Sequence, residues 1–349
     1  MLTRRGFARA LAVTAGGALS AGARVAAPAS KAARGPVKPP KLSPGDTLGL
    51  VLPARMAFEP SRIALAREQL EALGFKVKLG AHAYARDTYL AGTDDERAAD
   101  LNSMFADPEV RGIFCFTGGW GSPRVLPRLD FERIRAHPKA LIGFSDITAL
   151  LNAVHQRTGL VTFHGPVADG DLRPWTLEQL RRVVMSSQPI GVLANPPKQD
   201  DELVPRSYRI LTLRGGRASG RLVGGNLSLL AALMGTPWEV DTRGAILLLE
   251  DVHEDLYRVD RMLTQLHQGG KLGAAAAVVF GYCSECPPGE GASFSFEQIL
   301  RHWLEPLGVP AMAGLAFGHL AEKLTLPIGL PATVDTVAGT LTCDQAAVV

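Results

Sequence analysis

The sequence predicts a two-domain α/β protein, and two observations support that prediction. In the first half, short apolar runs alternate with a segment of helical periodicity, as in a parallel sheet covered by helices. The second half resumes this alternation after a proline-rich interval. With 349 residues, 46% of them hydrophobic, the chain can bury two cores. We therefore expect an N-terminal domain built on a parallel α/β sheet and a smaller C-terminal α/β domain.

The N-terminal domain is placed at residues 42–170. Its helix is indicated by apolar residues on one face, Ile63, Ala66, Leu70 and Leu73. The predicted strands lie at 48–52, 75–79, 112–116 and 141–144, and a helix-like run follows at 146–156. Continuous apolar strands of this kind are typical of a parallel sheet that is buried on both faces.

The C-terminal domain is placed at residues 210–349, after an interval at 171–209 that reads as the connection between domains. Five prolines interrupt that interval among charged residues: Pro174, Pro189, Pro196, Pro197 and Pro205. Beyond it, apolar runs predict strands at 245–249 and 275–280, and helical periodicity predicts a helix at 254–268.

Residues 1–34 read as a twin-arginine signal peptide and the start of a linker. Arg4 and Arg5 precede an apolar stretch at 10–23 that is rich in small residues and too short to span a bilayer. We expect export by the twin-arginine route to the periplasm or the cell exterior, with no membrane span left after cleavage. A disordered basic tail is the alternative.

The leader also accounts for the basic charge of the chain. It holds six cationic residues and no acidic one, so the formal charge of +3 for the whole chain becomes −3 for residues 35–349. A mildly acidic mature protein suggests neither nucleic acid nor an anionic membrane surface as a partner.

The clearest candidate for chemistry is Ser145, which stands two residues after Gly143 where a predicted strand gives way to a helix. A sharp turn there exposes the hydroxyl, and the helix N-terminus offers N–H groups to an oxyanion. Glu250 ends an apolar run, and His319 follows another, so they could supply an orienting acid and a general base. Taken singly, each has a plainer interpretation, as a helix cap, a strand-end acid or a half-buried loop histidine.

Eight ordered stretches of the chain match motifs of one peptidase family. They are 42–46, 91–97, 118–122, 142–148, 164–166, 224–227, 249–254 with Tyr257, Asp260 and Arg261, and 318–319 with 326–327. Through them the chain resembles the LD-carboxypeptidases of the S66 serine peptidase family, which includes murein tetrapeptide carboxypeptidases and microcin C self-immunity peptidases. The resemblance implies that Ser145 is the nucleophile, Glu250 the orienting acid and His319 the base.

The same resemblance implies further site residues. The backbone N–H groups of Gly119 and Asp146 are expected to form the oxyanion hole, although two adjacent glycines also suit a plain tight turn. Trp120 and Asn226 are predicted to contact the substrate. The family often reads Arg-Gly-Gly-Tyr-Gly where this chain begins with Thr117, so a cationic contact is expected to be missing and an indole replaces a phenol.

By resemblance, the activity is hydrolysis of the L,D amide bond to the terminal D-alanine of a murein tetrapeptide, without cofactor or metal. Two alternatives stay open: a microcin C-type self-immunity amidase and a non-catalytic muropeptide-binding protein. Export argues against the amidase, because such toxic products arise in the cytoplasm. The oligomeric state is open, and a homodimer is one option.

Four cysteines are too few for a disulfide scaffold in a chain of this length. For Cys283 and Cys286 we expect either a disulfide within their loop or two free thiols. A zinc site is not expected, because no second close Cys/His pair and no H-E-x-x-H motif is present.

Overall fold

The structure, a computed structural model, describes residues 35–197, 203–204, 207–288 and 294–349. The predicted leader at 1–34 lies outside these residues. In chain order the elements are β1 (Thr47–Val51), α1 (Ser61–Ala72), β2 (Lys76–Leu79), α2 (Asp94–Ala106), β3 (Val110–Cys115), α3 (Ser122–Val125), α4 (Phe131–Ala136), β4 (Ala140–Gly143), α5 (Thr148–Thr158), β5 (Thr162–His164), α6 (Pro174–Val184), β6 (Gly191–Leu193), β7 (Leu211–Arg214), β8 (Arg217–Asn226), α7 (Leu227–Ala232), β9 (Ile246–Val252), α8 (Leu256–Gln268), α9 (Lys271–Ala274), β10 (Ala277–Ser284), α10 (Phe296–Leu304), β11 (Ala311–Ala313), β12 (Leu326–Ile328), β13 (Pro331–Asp335) and β14 (Thr340–Cys343).

The first sheet has six strands in the order β12-β5-β4-β3-β1-β2. Strands β1 to β5 run parallel, as the apolar runs predicted. The edge strand β12 comes from far along the chain and pairs antiparallel with β5. Its central residue, Pro327, cannot donate to a ladder, which suits an edge position.

The second sheet has eight strands in the order β6-β14-β13-β8-β9-β10-β11-β7. Its centre, β8 to β11, is parallel, and antiparallel strands flank it on both sides. The fold class is therefore the mixed α/β architecture that the sequence predicts. By strand number the second sheet is the larger of the two.

The proline-rich interval at 171–209 contributes more than a connection. It supplies α6, whose buried face includes Leu180 and Val183, and the edge strand β6 of the second sheet. Residues Pro36–Val349 group into one compact unit, and the domain boundaries given above stay predictions.

Two local sequence signals fix elements near the site. Helix α2 begins with a capping box, in which Glu96 N donates to Thr93 Oγ1 and Thr93 N donates to Glu96 Oε2 at 2.8 Å. Strand β9 runs past its apolar core to Val252, so Glu250 and Asp251 lie within the strand and point to opposite faces.

Within the residues that the structure describes, no helix combines the length and apolar character needed to cross a bilayer.

Candidate active site

Ser145 occupies the sharp turn that the sequence predicts. It directly follows the loop residue after β4 and begins a single 3₁₀ turn at 145–147, which leads into α5. Its φ of +64° lies in the left-handed region, which costs a non-glycine residue free energy and is concentrated at functional sites. The turn directs the hydroxyl towards His319, whose Nε2 lies 2.9 Å from Ser145 Oγ.

Glu250 holds the other side of the same imidazole. Its carboxylate is fully buried, and its Oε2 lies 2.7 Å from His319 Nδ1. Burial raises the pKa of Glu250, but the hydrogen bond with His319 and the two neighbouring imidazoles oppose this and bring the pKa below its usual value. The carboxylate is therefore ionised, and a ring protonated on Nδ1 donates to it while Nε2 accepts from the serine hydroxyl.

Gly318 makes room for this contact. Its φ is +97°, and a Cβ at this position would lie 2.3 Å from Glu250 Oε2. The carboxylate thus fills the space that any other residue would need for its side chain. On the opposite flank, the ring of Phe144 meets the His319 ring edge to face at 4.7 Å. His319 is therefore fixed by a carboxylate and an aromatic ring.

Gly118 lies directly against Ser145, and Gly119 follows it in the same loop. A Cβ at Gly118 would lie 2.8 Å from Ser145 Cβ and 3.1 Å from the amide nitrogen of Asp146. Gly119 follows with a φ of +103°. This close approach of backbone to nucleophile is what an oxyanion hole built from Gly119 and Asp146 N–H groups requires. Their catalytic role remains a prediction.

The glycine loop is tied to the turn by buried polar contacts. Ser122 N donates to Asp146 Oδ2 at 2.7 Å, and Ser122 Oγ donates to the Asp146 carbonyl. The buried Arg97 donates to the carbonyls of Gly121 at 2.8 Å and Pro53 at 2.6 Å. Burial raises the pKa of Asp146 to about 6, although the Ser122 hydrogen bonds and the Arg97 charge oppose it. These contacts hold the loop against the nucleophile.

His164 is a site residue to which the sequence analysis gave no role. It ends β5, is buried between Phe144 and Phe317, and brings Nε2 to 3.9 Å from Glu250 Oε1. That distance is too long for a hydrogen bond, and neither ring nitrogen nor Glu250 Oε1 has a hydrogen-bond partner in the described structure. A histidine at the end of a buried strand, inside a matching motif, was the available signal.

Asn226 lies near the site, but both ends of its side chain are engaged within the fold. Its Oδ1 caps α7 by accepting from Leu229 N at 3.2 Å, and its Nδ2 donates to Asp251 Oδ1 at 3.0 Å. Ser228 donates twice to the other oxygen of Asp251, from its N at 2.9 Å and its Oγ at 2.8 Å. The predicted contact of Asn226 with substrate remains a prediction.

Trp120 stands at the edge of the site, directly after Gly119. Its side chain is 58% exposed and meets Tyr89, itself 50% exposed, edge to face at 6.0 Å. An exposed aromatic pair offers apolar area to a ligand, which agrees with the predicted substrate contact of Trp120 without testing it.

Cys283 and Cys286 form a disulfide at the end of β10, the first of the two expected alternatives. Cys115 and Cys343 are buried free thiols, and burial raises the pKa of Cys343 to about 12. In the described ranges, no group of three or more His, Cys, Asp or Glu side chains is placed to hold a metal ion.

Ser145, His319 and the buried Glu250 stand in one hydrogen-bonded series drawn from both sheets, which is the arrangement of a serine hydrolase. The family comparison narrows this class. The LD-carboxypeptidase N-terminal domain matches residues 48–165, and the LD-carboxypeptidase C-terminal domain matches residues 219–334. The chain therefore belongs to the LD-carboxypeptidase family, the S66 serine peptidases, and is a serine-type carboxypeptidase.

Individual relatives agree with this assignment. The chain is 42% identical to a probable murein peptide carboxypeptidase of Bacillus subtilis, over 87% of this chain and 93% of the relative. It is 37% identical to a murein tetrapeptide carboxypeptidase of Pseudomonas aeruginosa, over 82% of this chain and 92% of the relative. Among solved structures, MccF in complex with glutamyl sulfamoyl guanosine superimposes with a TM-score of 0.81 at 27% identity, over 90% of this chain and all of that one.

Proposed function

We propose that this protein hydrolyses the L,D amide bond that joins terminal D-alanine to a murein tetrapeptide. The observation that carries the proposal is the series from Ser145 Oγ through His319 to Glu250, with contacts of 2.9 and 2.7 Å. The names of its relatives in Bacillus and Pseudomonas supply the substrate class.

The reaction proceeds in two halves. His319 Nε2 accepts the proton of Ser145, whose oxygen attacks the carbonyl carbon of the third residue, while the oxyanion is held by the N–H groups of Gly119 and Asp146. His319 then gives the proton to the departing amine of D-alanine, and the acyl-enzyme remains. Water then attacks the acyl carbon while His319 Nε2 accepts its proton. His319 returns this proton to Ser145 Oγ as the tripeptide is released. In both halves the Glu250 carboxylate stabilises the imidazolium.

The test is incubation of the purified protein with tri-, tetra- and pentapeptide muropeptides, followed by mass spectrometry. We expect the tetrapeptide to yield tripeptide and D-alanine, and Ser145→Ala to lower the rate by a factor on the order of 10⁴ to 10⁶. Ser103→Ala, on α2, is the matched control and should keep full activity. Unchanged D-alanine release by Ser145→Ala would refute the nucleophile assignment.

A second candidate activity comes from the likeness to MccF, whose solved complex holds glutamyl sulfamoyl guanosine. The same nucleophile, base and acid could cleave an aminoacyl sulfamoyl nucleoside. Including such a compound in the panel distinguishes the two activities: preferred cleavage of the nucleoside conjugate favours the self-immunity function, and preferred cleavage of the tetrapeptide favours murein turnover. A protein that binds muropeptides and cleaves none of these compounds would be a binding protein.

We also infer export by the twin-arginine route. The sequence signal is Arg4-Arg5 before a short apolar stretch, and the Cys283–Cys286 disulfide is a bond that oxidising compartments favour. Replacing both arginines with lysine should leave an uncleaved precursor in the cytoplasm, seen by fractionation and immunoblot. Normal export of that variant would exclude the route.

A further inference from the structure

We propose that Arg55 binds the free carboxylate of the substrate's C-terminal residue, in a cavity whose wall includes Phe116, two residues before the glycine that lies against Ser145. This inference rests on the proposed carboxypeptidase activity and deepens it. A carboxypeptidase must distinguish a terminal residue from an internal one, and the only charge that marks a terminal D-alanine is its carboxylate. An arginine near the nucleophile supplies such recognition, because its guanidinium can donate two hydrogen bonds to one carboxylate.

Arg55 lies beside the loop that contacts the nucleophile. Ser145 lies against Gly118, and the aliphatic part of the Arg55 side chain lies against Gly119, where a Cβ would be 2.6 Å from Arg55 Cδ. The guanidinium of Arg55 donates to Thr117 Oγ1, on the residue before Gly118, at 3.2 Å. The cation is therefore held on the same three-residue stretch, 117–119, that contacts Ser145.

The guanidinium of Arg55 makes only long hydrogen bonds and lies 5.1 Å from the centroid of the Phe58 ring, so it can exchange these contacts for a ligand carboxylate. Its contacts are Thr117 Oγ1 at 3.2 Å, Met56 O at 3.3 Å and Asp169 Oδ2 at 3.5 Å, the last at the limit of a hydrogen bond. Asp169 is engaged more closely by Arg62, whose Nε donates to it at 2.6 Å. The acidic partner of Arg55 is therefore mainly satisfied by another arginine.

A cavity of about 280 Å³ opens beside Arg55, lined by Phe58, Phe116, Arg62 and Asp169, with Ala57 and Glu59 completing its wall. It corresponds to about nine water molecules, which is ample for an alanine residue and its carboxylate. Of the two arginines in this wall, Arg62 is the closer to Asp169, at 2.6 Å against 3.5 Å for Arg55. Arg55 is therefore the less closely paired of the two cations.

The contact with Thr117 revises the expectation that a cationic group is missing here. The sequence has threonine where the family often has arginine, but Arg55 reaches the Thr117 hydroxyl from the loop after β1. The positive charge therefore arrives at the oxyanion loop from a different part of the chain. Sequence comparison of the loop alone does not show this, because residues 55 and 117 meet only through the parallel pairing of β1 with β3.

The experiment compares a murein tetrapeptide ending in D-alanine with the same peptide ending in D-alanine amide. The ratio of kcat/KM for acid over amide is measured for the wild type, Arg55→Ala, and Arg55→Ala with Thr117→Arg. Both values of kcat/KM in a ratio are measured on the same preparation, so a smaller folded fraction lowers both equally and leaves the ratio unchanged. Arg67→Ala, an exposed arginine on α1 paired with Glu71, is the control. Binding of both peptides to the Ser145→Ala protein, with and without Arg55→Ala, is measured by calorimetry.

We expect Arg55→Ala to lower the acid-to-amide ratio by about 10- to 100-fold, the effect of one charged hydrogen-bonding partner, while Arg67→Ala leaves it unchanged. Thr117→Arg should restore part of the ratio. An unchanged ratio in Arg55→Ala overturns the inference. If the wild type cleaves neither peptide, the proposed function fails and the binding measurement decides the inference. Tighter binding of the acid than of the amide peptide, lost in Arg55→Ala, supports the inference. Equal binding of the two peptides, or no binding of either, refutes it.

Discussion

Glu250 reaches His319 only because residue 318 has no side chain. A Cβ at Gly318 would lie 2.3 Å from the carboxylate oxygen that accepts from the ring. Gly318→Ala should therefore displace Glu250 and lower kcat by a factor on the order of 10³ to 10⁴, comparable to removing the acid of a triad. Steady-state kinetics on the tetrapeptide check this.

Gly308→Ala separates this steric effect from backbone strain. Gly308 also has a positive φ, +79°, but nothing lies within 4 Å of its would-be Cβ. It should lose some stability through the left-handed conformation and keep its turnover. Similar losses of kcat in the two variants would show that strain alone explains the effect at Gly318.

Asp251 makes stability depend on pH at the strand position after Glu250. Burial raises its pKa to about 6 from its usual 3.8, the Glu250 charge adds to this, and the hydrogen bonds from Ser228, Val252 and Asn226 oppose it. Between these values the folded protein binds more protons than the unfolded chain. The stability linked to this group is therefore full below pH 3.8 and is lost as pH rises through 6.

Asp251→Asn removes this titration. The hydrogen bonds lost in the variant lower its stability by the same amount at every pH. The wild type, in contrast, loses about 2 to 3 kcal/mol of its free energy of unfolding between pH 4 and pH 7, and the variant does not. The difference in stability between the two proteins should therefore change by this amount in favour of the variant. Urea denaturation of both proteins across that range measures the difference. A constant difference at every pH would mean that Asp251 titrates normally.

At the residue level, the sequence predicts the members of the triad better than their surroundings. Ser145, Glu250 and His319 each come at the end of an apolar run, which is the position where α/β sheets place side chains of a site. Arg55 and His164 could not be assigned roles, because their partners lie far along the chain and are set by strand register. The register of one strand against the next depends on how side chains pack across the sheet, and the local pattern of apolar residues does not determine it.

At the scale of elements, the disulfide closes the end of β10 beside β9, where Cys283 pairs with Asp251. The loop it closes is short, so the chain-entropy relation gives only about 2 kcal/mol of stabilisation. Replacing both cysteines with serine should lower the free energy of unfolding by about that amount and leave kcat unchanged. Guanidinium denaturation and tetrapeptide kinetics test this; a loss of turnover in the folded variant would contradict it.

Strand and helix positions are predicted to within a few residues where apolar periodicity is strong. The predicted helix at 254–268 is α8, and the predicted strand at 245–249 is the core of β9. The short edge strands β6 and β12 were missed, because three residues give too little periodicity and a proline argues against a strand. The helix expected to start at residue 146 begins instead as a 3₁₀ turn, which is how the chain accommodates the strained serine.

At the scale of the whole molecule, β12 joins the two halves. The chain leaves the second sheet at β11, passes through the loop that carries His319, and enters the first sheet as β12 before returning to β13. We therefore expect residues 36–349 to unfold in one transition, with calorimetric and van't Hoff enthalpies that agree. Differential scanning calorimetry would contradict this by resolving two separate peaks.

The same path of the chain has a consequence for biosynthesis. A ribosome delivers Ser145 early and His319 almost last, and His319 is positioned only when the short strand beyond it has joined a sheet whose other strands were made long before. A growing chain therefore holds its serine without the imidazole that contacts it. If these residues have the proposed roles, we expect the chain to be inactive as a peptidase throughout its own translation.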